Sequence, residues 1–485
     1  MKGHTLIRIH SKGGLLTTQD MRAIVRIALY NNIEHLYAGI RQELLFYVKD
    51  TSKETVLKKM EELLDGIIFV EDGDTNSAVS SMQCVNVFKS KSWLDSGVYR
   101  DIIESFSFSP RLRIGLIDPE QELTPMLQNQ LNFVASDEPD YWYLYLRLED
   151  NDKPFLWPVK VDTISIFALA KQIASIYLGD KISDGEELVS LVNDNINYNY
   201  SAIGNNDTPK LRNHSMPNYD GIHLAYNNSY WLGITQQENK FSVKFLESLG
   251  ILCQAHKNNN IYFTTWGSIL IRNIKREHVD DWENLLAEHS INTGHSYSEL
   301  NWILPDLDHD AIDIKRKIVS YFYKKNARTE GLVFGVRTEN QPIYSNVLIK
   351  RVPILPLLGY YKYDVLHSKD FDINATEYVS YRERVSKSEL PKLMYGLTQY
   401  YSKFLTKKRK FSSVVNKEVT NATFNEGVHQ CTDCLTIYDP QYGEPDQDIL
   451  PGTNFKDIPD SFECPVCEAD KLSFKVVENN LSEIA

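Results

Sequence analysis

Four of the six cysteines in this 485-residue chain stand in two tight C-x-x-C pairs, Cys431/Cys434 and Cys464/Cys467, separated by 29 residues. No other feature restricts so sharply what the chain can fold into. Two such pairs supply the four thiolates of a tetrahedral metal site, and the segment around them is expected to fold about an ion. The spacing alone does not choose between iron and zinc. Cys84 and Cys253 lie far from the pairs and from each other. That is metal arithmetic rather than disulfide arithmetic, and it fits a reducing compartment.

The chain is too long for one core, so two to four domains are expected. Its 42% apolar and 11% aromatic content is that of a folded protein. The longest apolar runs, such as Ile354–Leu358 and Ile166–Ala170, fall far short of the roughly 20 residues of a membrane span. Met1-Lys2-Gly3-His4 leads into an alternating segment without an apolar signal core. A cytoplasmic protein with no membrane partner is therefore expected. The net charge of -13 is concentrated in the tail, where residues 426–485 hold 13 acids and three lysines, a balance of -10. Such acidity argues against nucleic acid and for a basic docking partner. Lys403 and Lys407-Lys408-Arg409-Lys410 form a local basic cluster, read either as a docking surface or as the solvated end of a helix.

Along the chain, Leu6–Ile9 alternates, Thr17–Tyr30 has helical apolar spacing, Leu44–Val48 reads as a strand and Thr51–Leu64 as a second helix. The same order recurs at Tyr230–Ile234, Phe241–Leu252, Asn260–Ile274 and His278–Leu286, which predicts an internal repeat of about 225 residues. Larger α/β stretches follow each unit. Their expected elements include strands at Arg113–Ile117, Tyr141–Leu148 and Gly331–Val336, and helices at Asp162–Tyr177, Asp310–Tyr323 and Ser388–Phe404. Asn193–Asp220 reads as a loop or connection, and the polar stretch Leu405–Val428 as a linker.

The residues between the cysteine pairs decide the metal. Tyr438-Asp439-Pro440, Gly443-Glu444-Pro445, Pro451-Gly452-Thr453-Asn454-Phe455, Ile458-Pro459-Asp460, Cys464-Pro465-Val466-Cys467 and Ala469-Asp470-Lys471 resemble the rubredoxin family over about 45 contiguous residues. The resemblance implies one iron per chain, held by Cys431, Cys434, Cys464 and Cys467 and cycling between ferrous and ferric. Tyr438, Phe455, Phe462 and Phe474 would be the domain's aromatic core. Two positions depart from the family: glycine usually follows the second and fourth cysteines, where Leu435 and Glu468 stand here. A non-glycine residue at positive φ costs about 1–2 kcal/mol, which leaves the potential open. The family's usual tryptophan before the second pair is Phe462.

The body resembles the sirohaem-dependent nitrite and sulfite reductases. The likeness rests on Leu6–Ile9, Gly13-Gly14-Leu15-Leu16, Met21–Leu29 and Arg41-Gln42 in one half, and on Gly221-Ile222-His223, Trp231–Ile234 and Tyr262–Thr265 in the other. It implies an α+β fold of duplicated ferredoxin-like half-domains (1–75 and 216–290), each followed by an α/β lobe (76–215 and 291–404). A linker at 405–428 and a rubredoxin fold at 429–480 complete the order. Those reductases hold a [4Fe–4S] cluster with four cysteines, and outside the tail this chain has two. No such cluster is expected, nor sirohaem. Arg41 matches the family's anion-binding face; it reads either as a ligand for an anion or sirohaem carboxylate, or as a surface or interlobe salt bridge. The resemblances imply an electron carrier on a catalytically degenerate body, serving nitrate, nitrite or sulfite assimilation. Its partners would be a donor reductase and an acceptor such as a nitrate or nitrite reductase. A reductase whose rubredoxin iron feeds a haem or sirohaem in the body, and a structural zinc protein, are the alternatives.

Overall fold

The computed structural model describes residues 3–477 apart from 65–68, 72–77, 107–110, 149–153, 183, 205–206, 208–210, 212–218, 296, 339–342, 356–359, 376, 420–427, 435, 439, 441–443, 445–446, 448, 450–452, 466 and 468. The chain divides into two compact units, Met1–Ser402 and Lys403–Ala485.

The duplication is present in the first unit. Strand His4–His10, the short strand Leu15–Thr17, helix Thr18–Tyr30, strands His35–Ala38 and Glu43–Lys49, and helix Lys53–Leu63 form the first half. Tyr230–Ile234, Lys240–Ser242, Val243–Ala255, Asn260–Phe263, Ile269–Ile274 and Val279–Glu288 repeat that order. Helix starts coincide in detail. Thr17 and Ser242, 225 positions apart, are both N-caps whose hydroxyls accept from the backbone N–H three residues on, Asp20 and Phe245.

The halves are not independent. One five-stranded sheet runs Lys240–Ser242, His35–Ala38, Glu43–Lys49, His4–His10, Phe69–Glu71. The other runs Gly221–Leu224, Tyr230–Ile234, Ile269–Ile274, Asn260–Phe263, Leu15–Thr17. Each sheet takes an edge strand from the opposite half, with Phe241 paired to Leu36 and Leu16 to Ile261. The exchange covers edges that would otherwise expose unpaired backbone. One core results, in which Ile7, Ile24 and Phe46 pack with Leu232, Phe245 and Trp282. Truncating the fully buried Phe245 to alanine would cost about 3–5 kcal/mol.

The two lobes share an order as well. Ala78–Ser80, Ile114–Ile117 and Leu131–Ala135 run parallel, with helix Ser96–Ser105 as the first crossover, and Tyr141–Leu146 and Val159–Asp162 continue antiparallel. Trp302–Ile303, Phe334–Arg337 and Val347–Leu355 are likewise parallel around helix His309–Lys325, and Tyr360–Ser368 and Tyr378–Val385 turn antiparallel. Among the described residues no helix is long and apolar enough to cross a membrane.

Two expectations need correction. The loop expected at Asn193–Asp220 begins inside helix Gly185–Asn195 and contributes strand Tyr200–Ala202, paired with Val159–Val161. The helix expected to end at Phe404 runs from Leu390 to Val419, so the expected linker at 405–428 is helical over 405–419. No glycine or proline stands between Gly396 and Gly427 to break it. Polarity in a sequence does not by itself break a helix.

In the second unit Ile437–Tyr438, Val428–Cys431 and Phe474–Val477 form a three-stranded antiparallel sheet. Its core is Tyr438, Ile449, Phe455, Ile458, Phe462 and Phe474, together with Cys431 and Cys464.

Candidate metal centre

Two similar backbone turns build the cysteine site. The N–H of Cys431 donates to the carbonyl of Thr436 at 2.8 Å, and that of Cys464 to Ala469 at 2.7 Å. Each closes a loop of the same length, so each C-x-x-C pair presents both sulfurs to one side. The four Sγ atoms lie within 4.8 Å of one another. Cys431 and Cys467 are 3.7 Å apart and Cys434 and Cys464 3.4 Å. A tetrahedral ion with metal–sulfur bonds of about 2.3 Å sets its sulfurs about 3.7–3.8 Å apart, so this set fits a four-thiolate ion after a small outward movement of one pair.

The aromatic core expected from the sequence holds the turns in place. Phe455 lies 5.4 Å from Tyr438 and 5.3 Å from Phe474, and Phe462 lies 5.4 Å from Phe474. Tyr438 donates its hydroxyl proton to the Thr453 carbonyl at 2.8 Å. Lys471 donates to the Ile458 carbonyl at 2.7 Å and pairs with Asp460 at 3.1 Å. Leu435 and Glu468 lie outside the described residues.

Exposure divides the ligands. Cys431 and Cys464 are buried, Cys434 is half-buried and Cys467 is exposed. The Thr436 hydroxyl, 3.0 Å from the Cys434 sulfur, and the Thr436 N–H pull that thiol down to about 6. Although the Ala469 N–H favours its thiolate, the neighbouring sulfurs push Cys467 up to about 12. Four adjacent thiolates repel one another, and a bound cation relieves this.

Cys84 and Cys253 stand apart from this chemistry. Both are buried in the body, and burial pushes their thiols up, Cys253 to about 12. Cys84 donates to Gln121 at 3.3 Å.

Arg41 lies in the body, where its guanidinium donates to Asn129 in the first lobe at 3.0 Å. Burial, then the charge of Arg113, lowers it to about 9. Its neighbour Gln42 does more for the architecture. The buried amide donates to the carbonyls of Ser80 at 3.0 Å and Phe263 at 3.1 Å, and to Gln83 at 3.0 Å, while its oxygen accepts from the Ser80 N–H at 2.8 Å. One side chain therefore ties both half-domains to the first lobe. Gly14 permits the approach: at φ +93 it would place a Cβ 2.7 Å from the Gln42 amide and 2.8 Å from the Phe263 carbonyl.

Sequence reasoning missed a second buried knot. Arg8 meets Glu43 at 3.4 Å and Asp306 at 3.1 Å, and Asp306 accepts the Ile40 N–H at 3.1 Å. Although burial opposes its charge, Asp306 and Glu43 hold Arg8 more firmly protonated than usual. The residues are up to 298 positions apart, and no local pattern could have joined them.

The sequence profile of the Rubredoxin family matches residues 428–474. Over 51 residues the chain is 51% identical to the anaerobic nitric oxide reductase flavorubredoxin of Pectobacterium atrosepticum, which is 10% of each chain. Over 63 residues it is 38% identical to the high molecular weight rubredoxin of Moorella thermoacetica, 13% of this chain and 28% of that one. The chain therefore spans about a tenth and about a quarter of these relatives. Mycobacterium tuberculosis NirA shares the fold of 81% of this chain over 80% of its own, with a TM-score of 0.61 at 13% identity. The protein thus combines a NirA-like α+β body with a C-terminal rubredoxin domain.

Proposed function

We propose that this protein is a one-electron carrier whose redox centre is a single iron bound by Cys431, Cys434, Cys464 and Cys467. The observation that carries this reading is the convergence of the four sulfurs within 4.8 Å, in a domain matched by the Rubredoxin profile. Iron held by four thiolates supplies one-electron exchange between ferrous and ferric with little change of geometry. The chain's residues do the rest. Cys431 and Cys464 anchor the centre in the aromatic core, Thr436 and the turn amides stabilise negative charge on sulfur, and exposed Cys467 brings the centre to the edge of the domain. All four donors come from the chain, so the domain passes electrons rather than binding substrate.

The body then serves as a docking or scaffolding element. Two cysteines outside the tail cannot supply the four ligands of a [4Fe–4S] cluster. We place the protein in the cytoplasm, between a donor reductase and an acceptor, with nitrate, nitrite or sulfite assimilation as the setting.

The test is the purified chain after iron-replete expression. It should carry one iron, be red when oxidised and bleach on uptake of one electron. Colourless protein with stoichiometric zinc would refute the reading.

A further inference from the structure

In the second half of the duplicated body, His256, His278 and Asp281 bring three ligand atoms within 4.8 Å of one another. His256 is the C-cap of helix Val243–Ala255, His278 is the N-cap of helix Val279–Glu288, and Asp281 is that helix's third residue. His256 Nε2 lies 3.1 Å from a carboxylate oxygen of Asp281, and His278 Nδ1 lies 3.8 Å from the same oxygen. The imidazole centroids are 3.9 Å apart. We propose that these three side chains bind a divalent transition-metal ion of the zinc class, with water completing its shell.

The donor set suits such an ion. Two imidazoles and a carboxylate are borderline ligands that zinc accepts at about 2.0–2.2 Å, which sets neighbouring donors about 3.3–3.6 Å apart. The two measured spacings bracket that value. The other nitrogen of His278, Nε2, lies 3.5 Å from a carboxylate oxygen of Glu277. A carboxylate near the far nitrogen favours the tautomer that leaves Nδ1 free to coordinate.

The duplication supplies an internal control. The matching positions of the first half are Asn31, C-cap of helix Thr18–Tyr30; Ser52, N-cap of helix Lys53–Leu63; and Thr55, that helix's third residue. Asparagine and serine are ordinary capping residues and histidine is a poorer one. The same backbone therefore does not require histidine at either cap or a carboxylate beside them. An ion pair would need one histidine, whereas two imidazoles around one carboxylate have the form of a metal site. A bound ion would clip the end of one helix to the start of the next.

Trp282 reports on the site. It is buried in the body's core, 6.1 Å from His256 between ring centroids. The experiment uses the full chain with its tail already loaded with iron, titrated with Zn²⁺ by equilibrium dialysis. One additional zinc should bind. His256→Asn, His278→Ser and Asp281→Thr, which install the first half's residues, should each weaken it at least about tenfold. Co²⁺ in the same chain should give weak visible bands without the intense near-ultraviolet absorption of a cobalt–thiolate bond. One equivalent of Cu²⁺, which such a donor set holds more tightly than Zn²⁺, should quench part of the tryptophan fluorescence of the wild type, and less of it in the triple variant. Equal zinc uptake by wild type and the triple variant would overturn the proposal, as would Cu²⁺ quenching of the same size in both.

Discussion

The body and the tail reach a fixed structure by different means. In the body one core, of 32 buried side chains among the described residues, draws on both half-domains, and exchanged strands cover sheet edges. In the tail the core is, among the described residues, six apolar side chains and two cysteines. A domain of that size buries too little surface to be stable unaided, and small domains commonly rely on a metal or disulfides. On the proposed reading the tail's cysteines are therefore structural as well as redox groups, while the body's two are buried. Removing metal should separate the regions most strongly. A strong chelator with reductant should unfold the tail and leave the body's transition in place, so calorimetry of the stripped protein should show the body's step alone. A body that melts together with the stripped tail would end the comparison.

The four ligands are not equal in their surroundings, and this gives a finer test within the tail. Serine at Cys464, buried in the small core, should cost both colour and the tail's fold. Serine at exposed Cys467 should abolish or shift the absorption while secondary structure survives as long as metal is retained. Absorption and circular dichroism on the two variants check this. Identical loss of structure in both would mean that metal alone, and not its packing, holds the domain.

The body's counterpart to a metal ligand is Gln42, whose amide joins both half-domains and the first lobe. Leucine at this position would leave the Ser80 N–H without its acceptor and two carbonyls without a donor. A loss of at least about 2 kcal/mol is expected in denaturant unfolding of the body, with the tail's iron spectrum unchanged.

What could be read from the sequence follows the range of the signal. The four-cysteine cluster of a rubredoxin domain was legible because its cysteines sit in two short pairs with a contiguous set of flanking residues between them. The repeat was legible because period and spacing recur, down to Thr17 and Ser242. The strand exchange was not: Leu15–Thr17 and Lys240–Ser242 are three residues each, and a strand pattern does not name its partner. Gln42, Arg8 and Asp306 were hidden for the same reason. The extended final helix could have been found, since no glycine or proline stands between Gly396 and Gly427, but its polarity was read as a linker.

Acid should strike the two regions through different groups. His10 is buried in the body, and its Nε2 has no hydrogen-bond partner among the described residues. Burial, then the charges of Arg41 and Arg8, lowers it to about 4. The unfolded chain binds that proton near pH 6.5, so the body keeps this contribution in full above pH 6.5 and loses it as the pH falls towards 4. The loss is on the order of 2–3 kcal/mol at about 1.36 kcal/mol per unit. His10→Gln should flatten the body's stability across that window. The tail should instead fail where protons displace the metal from its thiolates. Unfolding midpoints at several pH values, read by iron absorption and by body fluorescence, separate the two.

The smallest expected effect concerns charge. Residues 426–485 carry -10, whereas the other 425 residues hold 52 acids and 49 bases, a balance of -3. An acidic domain attracts cationic acceptors and repels anionic ones, and salt weakens both as the screening length falls from about 10 Å at 0.1 M to about 3 Å at 1 M. Oxidation of the ferrous chain by tris(phenanthroline)cobalt(III), a cation, should therefore slow with added salt, whereas oxidation by ferricyanide, an anion, should accelerate. The opposite signs matter because a general effect of salt on the centre would move both rates the same way. Neutralising Asp433, Asp460 and Glu463 to the corresponding amides should shrink both slopes. If both oxidants respond to salt with one sign, the tail's charge does not govern encounter at the iron. A partner would then have to be recognised by shape rather than by the field of the acidic domain.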